Sequence, residues 1–110
     1  MNIDDLVNSI NEPDFKVELN DWVYKWKNDD ADVMSLYELV AKWYGNVWFV
    51  DQSNQNLFWK NLQLFKINAV DCINGMTLNE RLYWFGLIDK WDNSNKNVQE
   101  KIRNKLHAPT

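Results

Sequence analysis

Between Pro13 and Asn28 the apolar residues fall at Phe15, Leu19, Trp22, Val23 and Trp26, a spacing of 4, 3, 1 and 3. An α-helix turns once every ~3.6 residues, so this spacing gathers the side chains into one stripe, whereas a strand would scatter them over two faces. The same period returns along the chain. Ile3, Leu6, Val7 and Ile10 form a short stripe over residues 3–10. Val33, Leu36, Tyr37, Val40, Trp43 and Tyr44 form another. Leu57, Phe58, Leu62, Phe65, Ala69, Cys72 and Ile73 are the inward positions expected of a long helix over about residues 53–73.

The boundaries agree with the stripes. Pro13 can open a helix, because its missing N–H has no partner in a first turn anyway. Asn28-Asp29-Asp30-Ala31-Asp32 reads as a polar turn in which Asp30 or Asp32 caps the next helix, and Gly45 ends that helix. Asp51 and Ser53 offer caps for the long helix. Gly75 is expected in the left-handed conformation that stops a helix. Thr77 and Glu80 have the spacing of a capping box that starts the next one. That helix carries Leu78, Leu82, Phe85 and Ile88 on one side, with Trp84, Leu87 and Trp91 adjacent. Gly86 inside it costs about 1 kcal/mol relative to Ala, which points to the close approach of another helix. Asp92–Asn95 is a turn, and Val98, Ile102 and Leu106 form a last amphipathic helix ending before Pro109. Val47-Trp48-Phe49-Val50 could be a short buried strand, but four residues without a partner make an unstable one. A short helical or irregular segment tucked into the core is the preferred reading. The expectation is an all-α, single-domain irregular bundle of about six helices over residues 1–110.

Composition narrows the function classes. Of 110 residues, seven are Trp, five Phe and four Tyr, and each such ring buries about 150–250 Å² when packed. Most are therefore core, with a few available as interface anchors. Cys72 is the one cysteine, so no intrachain disulfide can form, which fits a reducing cytoplasm. No apolar run approaches the ~18 residues of a membrane span. The start, MNIDDLV, carries two acids where a signal peptide needs basic residues. A soluble, cytoplasmic protein with no membrane association is expected. Residues 1–51 hold eleven acids against four Lys, net −7, whereas residues 52–110 hold five acids against eight Lys and Arg, net +3. An acidic half repels phosphates and steers in a basic protein.

The chemistry of an enzyme is missing. Gly45, Gly75 and Gly86 cannot build a phosphate-binding loop. One Cys and one His, 35 positions apart, fall short of a zinc ligand set. Asn28, Asp30 and Asp32 have the first spacings of a calcium loop, but Val33 stands where Gly must turn the chain and Leu39 where the bidentate Glu belongs. Cys72 reads as a buried inert thiol and His107 as a surface residue near a frayed end. Arg81 could pair with Asp89 or with a neighbouring helix. No catalytic residue, cofactor or metal is expected. Lys96, Lys101, Arg103 and Lys105 on the last helix raise nucleic-acid binding, yet the preceding helix presents aromatics and aliphatics rather than base-reading polar groups.

Residues Met76, Thr77, Asn79, Glu80, Arg81, Leu82, Tyr83, Gly86, Leu87 and Asp89 make an MT-x-NERLY-x-x-GL-x-D segment. This resembles the C-terminal part of small bacterial immunity proteins of contact-dependent growth inhibition systems. The resemblance implies a protein that binds and neutralises a cognate basic toxin domain by occluding it. Such toxins are often nucleases, ribonucleases among them. The partner-binding residues expected on this reading are Asp29, Asp30, Asp32, Glu38, Asp51 and Trp48. The alternatives are a helical adaptor of another kind, or a small ligand-binding or nucleic-acid-binding protein.

Overall fold

The computed structural model describes residues 1–108, and the Pro109 stop expected from the sequence lies outside them. Seven α-helices, a π-helical turn and a 3-10 turn make up their regular structure, with no strand among the described residues. α1 (Ile3–Asn8) opens with a capping box: Asn2 accepts from the Asp5 N–H while Asp5 accepts from the Asn2 N–H. α2 (Pro13–Asn28) begins at the proline, as its geometry favours, and buries Leu19, Val23 and Trp26. α3 (Val33–Gly45) is capped by Asp32, whose carboxylate accepts from the Ser35 N–H at 3.1 Å. It buries Val33, Leu36, Val40 and Trp43. Of the two capping candidates, Asp32 takes the task.

α4 (Gln52–Phe65) is capped by Asp51, and its inward stripe is Asn54, Phe58, Leu62 and Phe65. This corrects two expectations. Leu57 is half exposed because Asn54 takes the inward place, accepting from the Asn11 N–H and donating to the Ser9 carbonyl. The helix also does not run on to residue 73. It widens into a π turn at Lys66–Val70 and ends in a 3-10 turn at Ile73–Gly75. The wider turn moves the inward set to Ala69, Val70 and Ile73 and leaves Cys72 exposed rather than buried.

α5 (Leu78–Trp84) has the expected capping box, with Thr77 Oγ1 accepting from the Glu80 N–H at 3.2 Å and Glu80 accepting from the Thr77 N–H. Gly75 is not the left-handed residue; Gly86 is, at φ +67°. The Leu87 N–H bonds back to the Leu82 carbonyl there, closing α5, and the chain restarts as α6 (Ile88–Asp92). The close approach inferred at Gly86 is real but comes from side chains. A Cβ there would lie 2.5 Å from Asp4 Oδ2 and 2.9 Å from Lys27 Nζ. α7 (Lys96–Lys105), capped by Asn95, completes the chain.

α1 packs on α2 and α4, α2 on α3, and α5, α6 and α7 pack in succession. The core is continuous and carries aromatic clusters in two places. Trp43 meets Phe58 edge to face at 5.6 Å, with Phe15 and Phe49 against them. Phe65 meets Phe85 at 5.6 Å, and Phe85 meets Trp26 at 6.2 Å. Such pairs add about 0.5–1.5 kcal/mol each beyond the area they bury. No described helix is long and apolar enough to cross a membrane.

Candidate functional site

α3 separates the expected binding residues. Asp29, Asp30 and Asp32 lie before its first turn, Trp48 and Asp51 lie beyond its last, and thirteen residues at ~1.5 Å each put about 20 Å between them. Glu38 is exposed on α3 between the two ends. The structure therefore does not gather the six into one patch.

At the first end two of the three acids, Asp29 and Asp32, are engaged within the molecule, while Asp30 is exposed. Asp29 accepts from the Ala31 N–H and forms an ion pair with Lys105 at 3.1 Å. Lys105 is buried, donates also to the Ala31 carbonyl and lies 4.2 Å over the Trp26 ring. Asp32 caps α3 and lies 2.8 Å from His107 Nε2. The Ser35 N–H holds the Asp32 carboxyl below its ordinary range, helped by the His107 contact. Lys90 donates to the Lys27 carbonyl and to Asn28 Oδ1. Burial pushes the ammonium groups of both Lys90 and Lys105 down. Lys27, Lys90, Lys101 and Lys105 line one shallow pocket with Asp29 and Asp30. Lys90 caps the open carbonyl end of α2, where a cation is favoured, and Lys105 holds the turn that follows. The role of Lys90 and Lys105 is structural, and with Lys27 and Lys101 beside them the acidic turn carries little net negative charge.

Arg81 belongs to the same stitching. It is buried and donates to the carbonyls of Met76, Leu106 and His107, not to Asp89. His107, expected as a loose surface residue, is exposed but bonded, with φ 54°.

The second end is different. Val47 is half-buried and Phe49 buried, whereas Trp48 is 82% and Val50 90% exposed. The loop is irregular, and only its alternate residues reach the core. Four tethers hold it. The Val50 N–H donates to Glu12 and the Phe49 N–H to Gln55 Oε1, both at 3.1 Å. Asp51 accepts from Asn11 Nδ2 at 3.0 Å and from the Ser53 and Asn54 N–H groups. Phe49 packs on Phe15, with ring centroids 5.4 Å apart. Asn11, before all the other donors, keeps the Asp51 carboxyl below its ordinary range. The tip thus presents a large indole and a valine on a backbone that has already lost its freedom.

Sequence reasoning missed Val50, Glu12 and their partnership. A run of four apolar residues carries no alternation from which to read which side chains face out, so only the structure shows that Val47 and Phe49 turn in while Trp48 and Val50 turn out. No group of three or more His, Cys, Asp or Glu among the described residues could hold a metal ion. Comparison of the chain with protein families, with curated proteins and with solved structures gave no match.

Proposed function

We propose that this protein is an immunity protein that binds and neutralises a cognate basic toxin domain, a nuclease being the expected activity. The observation that carries the reading is the pinned tip bearing Trp48 and Val50. Leaving an indole in water forgoes burial energy, and the loop around it is held by hydrogen bonds to Glu12, Gln55 and Asn11. Trp anchors on preorganised backbone are how protein interfaces concentrate their energy. The acidity of residues 1–51 adds attraction for a basic domain. The resemblance of the Met76–Asp89 segment to immunity proteins supplies the class of partner.

The test is co-expression with the domain encoded immediately upstream of this chain's gene, where an immunity gene would follow its toxin. Rescue of growth and co-purification of a stoichiometric complex are expected. A toxic domain that stays toxic and elutes separately overturns the reading. A helical adaptor is the second reading, favoured by the exposed Leu57, Leu64 and Ile67 along α4 and the π turn. It predicts binding insensitive to salt, whereas capture of a basic domain weakens as salt screens it.

A further inference from the structure

We infer that the docking surface is the Trp48–Val50 tip together with the N-terminal part of α2, and that it takes a basic protein surface with an apolar recess. The inference rests on the immunity reading and moves its site away from the aspartates of the α2–α3 turn. Glu12 reaches the tip directly through the Val50 N–H, and Asp51 closes the tip on its other side. Glu18 accepts from Trp43 Nε1 at 2.8 Å, so its carboxylate is fixed on the same end of α3. Asp14 is exposed one turn before Glu18 on the same face of α2. Among the described residues none of these four carboxylates is in an ion pair, and Lys16 and Lys42 are the cations within the flanking turns of α2 and α3. Three of the four are held by hydrogen bonds, so their charge is presented at fixed positions.

Charge and shape then specify the occupant. An acidic rim around a protruding indole matches a cationic surface with a recess for one aromatic ring. It does not match a second copy, whose tip would bring like charges together. Trp48 is the anchor that sets the lifetime of the complex, while Glu12, Asp14, Glu18 and Asp51 set the rate of encounter.

The experiment measures association and dissociation of the purified full chain with the purified upstream-encoded toxin domain, inactivated for handling, from 50 to 500 mM NaCl. Trp48→Ala should speed dissociation by about 30-fold or more. The variant Glu12→Gln, Asp14→Asn, Glu18→Gln, Asp51→Asn keeps an acceptor at every position and removes four charges. It should slow association by about tenfold at low salt and flatten the salt dependence. The control Asp30→Asn, Glu38→Gln should match the wild type. Circular dichroism melts check that each variant is folded. If the wild type binds but Trp48→Ala and the four-charge variant bind equally well, the surface assignment falls and the immunity reading stands. A wild type that does not bind the domain removes both. Loss of binding in the control to the same degree as in the four-charge variant returns the site to the α2–α3 turn. Self-association through the tip, seen by sedimentation and abolished by Trp48→Ala, would overturn the inference in favour of a second copy.

Discussion

The N-terminal end of α3 has three aspartates within four positions, yet the surface around them is balanced by Lys27, Lys90, Lys101 and Lys105, and His107 lies against Asp32. The C-terminal end has fewer acids in its own loop but borrows Glu12, Asp14 and Glu18 from α2, against Lys16 and Lys42. One end uses charge to hold the fold, and the other displays it. Net charge along the chain is therefore a poor guide to field at the surface, because ion pairs fold basic segments back onto acidic ones. Lys105 and Asp29 meet across 76 positions of sequence.

The contrast can be broken most forcefully at the structural end. Arg81→Met leaves the carbonyls of Met76, Leu106 and His107 without their donor, and a loss of about 3 kcal/mol in urea unfolding is expected. Lys105→Met strands the Ala31 carbonyl and Asp29, with an expected loss of about 2 kcal/mol. A loss under 0.5 kcal/mol for either would mean that α7 does not hold the turn. Asp32→Ala removes the α3 cap and should cost about 0.5–2 kcal/mol, read from the same melts.

Acid titration sharpens the comparison, because capped aspartates occur at both ends. Asp32 and Asp51 have carboxyls held below their ordinary range, so the folded state binds fewer protons than the unfolded one. Each contributes stability above the ordinary aspartate value and loses it as pH falls through the lowered one. Stability should decline below about pH 4, with a shallower slope in Asp32→Ala. An unchanged slope would show that the carboxylate is no better held in the fold than in the unfolded chain. The smallest effect belongs to the displayed end: Trp48→Ala should leave stability within about 0.5 kcal/mol of wild type, by thermal melt, since its ring is already in water. A larger loss would make Trp48 a core residue and remove it as an anchor.

Local rules made most of the helices legible. The stripe of α2, the caps Asp32 and Asp51 and the Thr77–Glu80 box needed only neighbours within a few residues. Three features were not legible, each for a tertiary reason. The π turn at Lys66–Val70 shifts the inward set by an extra residue, which no stripe of fixed period anticipates. Gly86 read as a costly residue within one helix, but its left-handed φ ends α5 under the Asp4–Lys27 pair, an arrangement set by distant segments. Asn54 displaced Leu57 from the core because Ser9 and Asn11 supply its partners. Of the candidate site, Trp48 and Asp51 stand together in one loop, while Asp29 and Asp32 turned out to be committed to Lys105, His107 and the backbone.

α1 has a consequence for how the molecule is assembled in time. It is six residues long, far below the ~12–15 at which a helix stands unaided. Its docking groups are Lys27 for Asp4, the Tyr83 carbonyl for Asn2, and the α2 and α4 surfaces for Ile3, Leu6 and Val7. Most of these are synthesised dozens of residues later. The segment therefore gains its helical form only with the α2 and α4 surfaces in place. A destabilised variant of the Gly86 junction should accumulate partly folded chains in which residues 1–10 alone are open to protease.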